Sequence, residues 1–205
     1  MWSYLVENGA EIKSTNNGGN TVLHNAARDG NLSIVEYLVQ NGAEIKSTNR
    51  DGNTVLHDAV NGGNLSVVEY LVQNGAEIKS TNKDGSTVLH DAAWNGELYI
   101  VEYLVQNGAE IKSTNNNGNT VLHNAAEGGN LSIVEYLVQN GAEIKSTNSD
   151  GNTVLQNARM KEEYNVRRIY DANVNGRRSR GRPMKTWHDQ VNQIFESGHA
   201  KSQNN

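Results

Sequence analysis

The chain repeats itself every 33 residues. Gly-Asn-Thr-Val-Leu-His opens a unit at Gly52 and at Gly118, and copies or near-copies open at Gly19, Gly85 and Gly151. Between them, Val-Glu-Tyr-Leu-Val-Gln-Asn-Gly-Ala-Glu-Ile-Lys-Ser-Thr-Asn recurs letter for letter from Val35, Val68, Val101 and Val134. A fixed period of this size constrains the fold more than any composition does. Each unit is too small to bury its own apolar face, so neighbouring units must stack on one another as a solenoid. Such an architecture offers a long exposed surface and ordinarily no catalytic pocket, so the functional question becomes what the surface holds.

One unit, Asn49 to Thr81, carries its own structural instructions. Asp51-Gly52 is a turn signal, since glycine supplies the positive φ that such turns want. Thr54 is placed to cap a short helix from Val55 to about Asn61, with Leu56, Ala59 and Val60 inward. Gly62-Gly63 ends that helix and lets the chain double back. Ser66 stands three residues before Glu69, the spacing of a capping box, and opens a second helix. Leu65, Val68, Leu71 and Val72 give that helix one apolar stripe, and Gly75 sits where a left-handed cap would end it. Ala76-Glu77-Ile78-Lys79 alternates as a short extended finger should. The expected unit is turn, helix, helix, finger.

Here a resemblance enters. Thr54-Val55-Leu56-His57-Asp58-Ala59 resembles the ankyrin signature Thr-Pro-Leu-His-x-Ala, and Asn74-Gly75-Ala76-Glu77-Ile78 resembles its Gly-Ala-Asp-Val close. The likeness covers residues 1 to about 160. It implies an all-α ankyrin-repeat solenoid of stacked helix-turn-helix units with short hairpin fingers. Val22, Val55, Val88, Val121 and Val154 stand where the family has proline, a replacement expected to weaken the helix starts slightly. The frame gives a half unit at 1–15, full units at 16–48, 49–81, 82–114 and 115–147, and a partial or capping unit from 148 to about 172. The mid-unit start raises the expectation of coding sequence upstream, with the repeats as an appendage of a larger protein.

Composition narrows the function further. There is no cysteine, which removes disulfide frameworks and thiolate metal sites. The opening Met1-Trp2-Ser3-Tyr4-Leu5-Val6-Glu7 has neither a basic leader nor a long apolar run, and no stretch is apolar enough to span a membrane. An intracellular, cytoplasmic protein with a nuclear alternative is the expectation. Asn31-Leu32-Ser33, Asn64-Leu65-Ser66 and Asn130-Leu131-Ser132 match the glycosylation pattern but read as helix starts. Residues 1–160 carry 9 Lys and Arg against 18 Asp and Glu, and residues 161–205 carry 9 against 5. The acidic repeats suit basic or neutral partners, and only the tail suits a polyanion.

The candidate chemistry is sparse. His24, His57, His90 and His123 recur at the period, but stacked helical layers lie about 8–10 Å apart while metal–imidazole bonds are about 2 Å. They are read as structural, neutral side chains bonded to neighbouring turns, and the resemblance assigns them to tying each hairpin to its helices. Asp58 and Asp91 follow two of them with no nucleophile elbow or phosphate loop nearby. No catalytic residue, cofactor or metal ligand is assigned. The units differ at the finger tips, Asn17-Gly18, Arg50-Asp51, Lys83-Asp84 and Asn116-Asn117. They differ again at the end of the first helix, Arg28-Asp29, Asn61-Gly62, Trp94-Asn95 and Glu127-Gly128, and unit three alone carries Glu97 and Tyr99. In ankyrin proteins the finger tips and the exposed side of the first helix form the concave partner-binding face. The expected contact patch is centred on Trp94, with Arg28, Arg50, Asp51, Asn61, Lys83, Asp84, Asn95, Tyr99 and Glu127 around it, on a monomer that binds a protein.

The tail is a different kind of sequence. Arg177-Arg178-Ser179-Arg180-Gly181-Arg182-Pro183 is basic and holds the single proline of the chain. Met184, Trp187, Val191 and Ile194 then fall at helical steps, predicting a short amphipathic helix near 183–197 within a partly disordered 173–205. Arg180-Gly181-Arg182-Pro183 resembles the AT-hook core, which would make Arg177, Arg178, Arg180 and Arg182 DNA contacts. The longer stretch from Arg168 to Ser202, with Lys185-Thr186-Trp187-His188-Asp189-Gln190-Val191, resembles the carboxyl tail of non-LTR retroelement reverse transcriptases. A captured mobile-element fragment, a working DNA or nuclear-targeting element and a plain disordered tail all remain open at this level.

Overall fold

The computed structural model describes residues 12–158. Within them, each unit opens on a threonine in extended backbone, which stops the preceding turn and starts a helix. Thr21, Thr54, Thr87 and Thr120 are the N-caps of α1 (Val22–Arg28), α3 (Val55–Asn61), α5 (Val88–Asn95) and α7 (Val121–Gly128). A tight turn then leads to α2 (Leu32–Gln40), α4 (Leu65–Gln73), α6 (Leu98–Gln106) and α8 (Leu131–Gln139). Residues 154–158 begin a further helix. The fold is an all-α solenoid: α1 packs on α3, α3 on α5 and α5 on α7, while α2, α4, α6 and α8 stack in a parallel outer row.

Glycine sets where each helix stops. Gly63 ends the α3 turn at φ 70°, and Gly75 follows α4 at φ 91°. Neither conformation suits a residue with a Cβ. Gly62 has ordinary backbone angles but no room. A Cβ there would lie 2.0 Å from the Arg28 carbonyl oxygen of the preceding unit, so the small residue permits the close approach of successive helix ends.

The core is a ladder of identical rungs. Leu23, Leu56, Leu89 and Leu122 from the inner helices, and Leu38, Leu71, Leu104 and Leu137 from the outer ones, are essentially inaccessible. Each sits between two neighbouring units, and truncating such a leucine to alanine costs about 2–5 kcal/mol. Val55, Val88, Val121 and Val154, at the positions where the family has proline, are also fully buried. Val67, Ile100 and Ile133 are buried too, although they lie off the stripe of Leu65, Val68, Leu71 and Val72. The outer helices are packed on both flanks by their neighbours, which widens the apolar face beyond a single stripe.

Two local expectations are corrected. The second helices begin two residues earlier than Ser66 predicts, with Asn64 as N-cap of α4. No capping box forms on Ser66 and Glu69. The capping box lies on the first helices, between Thr54 and His57 and their counterparts. The finger is also less extended than the alternation of Ala76 to Lys79 implied. Ile78-Lys79 is a turn, and the extended pairing is a single bridge, Thr81 to Thr87, repeated at every unit.

The histidines hold the units in register. The backbone N–H groups of Thr21, Thr54, Thr87 and Thr120 donate to Nδ1 of His24, His57, His90 and His123 at 3.2–3.3 Å. With Nδ1 accepting, each ring carries its proton on Nε2. That proton is donated to the carbonyl of Asn53, Ser86, Asn119 or Asn152 in the next unit, at 3.2–3.3 Å. In the fifth unit Gln156 takes over the first role, its Oε1 accepting from the Thr153 N–H at 2.7 Å. A second ladder runs through asparagine. The Asn49 Oδ1 accepts from the Asp51 and Asn53 N–H groups of its own turn, while its Nδ2 donates to Asn20 one unit back. The same arrangement recurs at Asn82 and Asn148.

Burial holds all four imidazoles below their ordinary pKa, and His57 is brought down to about 4 despite the opposing hydrogen bond to Ser86. Protonation would also place a hydrogen on Nδ1 against the threonine N–H. A depressed histidine pKa contributes stability that is complete above about pH 6.5 and is lost as pH falls toward 4. Raised carboxyl groups at Asp58 and Asp91 act in the opposite sense, so one histidine is best isolated by difference. Relative to His57→Gln, the wild-type chain should lose roughly 3 kcal/mol of unfolding free energy between those pH values. Urea titrations followed by circular dichroism at a series of pH values measure this. Equal pH slopes for the two proteins would refute the assignment.

Candidate functional site

The finger tips form one continuous edge because successive turns are joined through the backbone. The N–H groups of Arg50, Lys83, Asn116 and Ser149 each donate to a carbonyl one unit back, on Gly18, Asp51, Asp84 and Asn117, all at 2.9 Å. The side chains of Arg50, Asp51, Lys83 and Asp84 are thereby displayed in fixed order and are all exposed. The tips and the first helices share one surface. The Asp51 charge is felt at Asp58, and the Asp84 charge at Asp91.

On the first helices, the row that begins with Arg28 and Asp58 is the most structured part of this surface. Asp58 is buried, with 1% of its side chain exposed, and the half-exposed Arg28 guanidinium of the preceding unit donates to its Oδ1. The other oxygen, Oδ2, is buried without a partner. Burial pushes the Asp58 carboxyl up, and Arg28 counters it. The adjacent His57 ring is bonded to Thr54 and Ser86, not to Asp58, so the two residues form no catalytic pair. One unit on, Asp91 occupies the place of Asp58, and Asn61 occupies the place of Arg28. Burial raises the Asp91 carboxyl to about 6, with the Asn61 amide pulling it back down. The Asn61 Oδ1 also accepts from Asn95 Nδ2 at 3.0 Å.

Trp94 closes the same helix. Its backbone carbonyl accepts from Asn130 Nδ2 at 3.0 Å, and that side chain also reaches the Ala93 carbonyl at 2.8 Å. The indole is 43% exposed and Tyr99 is 74% exposed; these are the exposed large apolar side chains among the described residues. Tyr99 lies in the first turn of α6, so it belongs to the outer helix rather than to the first-helix surface expected for it. Glu127, at the corresponding end of α7, is part-buried. The structure therefore gathers Arg28, Asn61, Trp94 and Asn95 along the inner helix ends and Arg50, Asp51, Lys83 and Asp84 along the tips. Arg177, Arg178, Arg180 and Arg182 lie outside the described residues.

In the sequence Asp58 and Asp91 simply follow His57 and His90, and nothing local marks their place on this face. The available signal was the variation within two columns, Asp58 and Asp91 standing where other units have Asn25 and Asn124, and Arg28 and Asn61 where others have Trp94 and Glu127; which column faces which is set by stacking. Asn49, Asn82, Asn115 and Asn148 carry no local signal of their role in joining successive turns. Removing Arg28 should expose the cost of the buried carboxylate. Arg28→Ala is expected to destabilise the chain by about 1–3 kcal/mol, and Arg28→Ala combined with Asp58→Asn should recover most of that loss. Thermal and urea unfolding of the four proteins in a double-mutant cycle gives the coupling, and a coupling near zero would show that the pair is not a structural contact of consequence.

Among the described residues no group of three His, Asp or Glu side chains converges on a point, and no helix is long and apolar enough to cross a membrane. The inter-unit grooves between Lys46 and Glu77, and between Lys112 and Glu143, repeat with the period and are lined by the same Ile, Thr and Ala residues. A family model described as ankyrin repeats (3 copies) matches residues 1–82, 42–115 and 89–177. No curated protein matches the chain. Ankyrin repeats are generally protein–protein interaction modules, and the matched segments run through most of the sequence. With its threonine-capped inner helices, its outer helical row and its bridged finger turns, this chain belongs to the ankyrin-repeat family.

Proposed function

We propose that this protein is a non-catalytic binding module that holds a protein partner against the finger tips and the inner helix ends, with Trp94 as its anchor. The observation that carries the reading is the exposed indole at one inner helix end. In a chain whose units are close copies, Trp94 stands where the others have Arg28, Asn61 and Glu127. An exposed indole amid Asn, Ser and Glu is unfavourable unless a partner covers it, and tryptophan dominates interface hot spots. The backbone ladder of the tips and the clamp of Asn130 on the Trp94 carbonyl preorganise this face, so little conformational entropy is lost on docking.

The tail supports a second reading, in which the repeats hold a protein and the basic residues hold DNA in the nucleus. Its support is the charge division, formally −9 for residues 1–160 and +4 for residues 161–205, together with Arg180-Gly181-Arg182-Pro183. The likeness of residues 168–202 to a retroelement reverse transcriptase tail favours a mobile-element origin for the same segment. Binding of A·T-rich duplex that weakens steeply with salt would favour the DNA reading.

For the first reading, Trp94→Ala and Ser66→Ala versions of the full chain should be compared with wild type in quantitative affinity capture from cells that express it. Trp94→Ala should reduce recovery of the specific partner by about tenfold or more, with Ser66→Ala unchanged. Unaltered recovery with Trp94→Ala would remove Trp94 from the interface.

A further inference from the structure

The row of inner-helix side chains contains one completed pair and one incomplete copy of it. Arg28 donates its guanidinium to the buried Asp58 across the boundary between units one and two. Across the next boundary, the carboxylate recurs as Asp91, but the position of Arg28 is held by Asn61, a shorter and uncharged side chain. Trp94 follows Asp91 by three residues on α5, so the two lie on one face of that helix. The Asp58 Oδ2 is buried without a partner, and the charges of Asp58 and Asp84 both act on Asp91. Asp91 is thus a part-buried carboxylate that accepts from the Asn61 amide and, among the described residues, has no salt-bridge cation, whereas its counterpart one unit away is paired with arginine.

We propose that Asp91, beside Trp94, receives the guanidinium of an arginine presented by the protein partner. This rests on the reading of Trp94 as the anchor and adds the chemistry of what it anchors. A guanidinium reproduces at Asp91 the contact that Arg28 makes at Asp58. It is planar and can lie on an indole face while donating to a carboxylate, which an ammonium does less well. The net negative charge of residues 1–160 draws a basic segment toward this face. Burial already raises the Asp91 carboxyl, so a cation delivered to it relieves an existing cost.

The probe is a fluorescein-labelled octapeptide alternating glycine and arginine, with lysine and glutamine counterparts, titrated against the full chain by anisotropy. The arginine peptide should bind several-fold more tightly than the lysine peptide, and the glutamine peptide most weakly. Asp91→Asn places in this column the residue that Asn25 and Asn124 already supply in units one and four, so it should fold. Asn61→Arg rebuilds the Arg28–Asp58 pair in cis and should fill the position. Each should weaken the arginine peptide by about tenfold. Binding that emerges only after Arg177, Arg178, Arg180 and Arg182 are changed to glutamine would support the same site, occupied by the chain's own tail. Equal affinity for the arginine and lysine peptides, unaffected by either variant, would overturn the proposal. If Trp94→Ala abolishes partner capture while Asp91→Asn and Asn61→Arg leave it intact, the arginine proposal fails and the anchor stands. If capture is indifferent to Trp94, the anchor fails.

Discussion

The neutral imidazole shared between two units is the interaction on which the rest of this solenoid depends. One ring nitrogen fixes the start of a helix by accepting from the threonine N–H, and the other fixes the distance to the next unit by donating to its carbonyl. Local helix geometry and long-range stacking are thereby set by a single side chain. Both bonds require one tautomer, and burial disfavours the charged form that would break it. Gln156 shows which half of the device is needed to start a helix: its carbonyl oxygen keeps the threonine contact without an aromatic ring.

A frame held this rigidly by identical rungs leaves little of the surface free to differ. Leucines pack against the same leucines in each unit, and Gly62 cannot gain a Cβ without meeting the Arg28 carbonyl. Differences therefore accumulate where the period imposes no contact, at the finger tips and the ends of the inner helices. The acidic row is an intermediate case. Asp58 is buried enough to need Arg28, so a polar pair has become part of the packing. Asp91 retains the carboxylate without the cation and takes the Asn61 amide in its place.

The elements whose signals are local were readable in advance. The limits of α3, the glycine stops at Gly63 and Gly75, and the inward Leu56 follow from capping, positive φ and helical spacing within about ten residues. Ser66 was misread because its spacing to Glu69 mimics a capping box, whereas Asn64 already occupies the cap and places Ser66 inside the helix. The burial of Val67 was missed for a different reason. A stripe describes a helix with one neighbour, and α4 has one on each side. Tyr99 was grouped with the first-helix residues because it varies with them in sequence, but it belongs to α6.

The sequence alone determined the period, and with it the stacking of helical pairs, because a unit of this size cannot bury its apolar residues without a copy beside it. It also marked where the copies differ. Only the tertiary structure decided what those differences face. Asp58 meets Arg28 from thirty residues earlier, His57 meets the carbonyl of Ser86, and Asn61 stands by Asp91. These partners are assigned by the rise and rotation from one unit to the next, a property of packed surfaces that no single unit encodes. Within one unit, by contrast, helical spacing alone sets Trp94 beside Asp91, with Asp84 near enough at the finger tip to act on the Asp91 carboxyl.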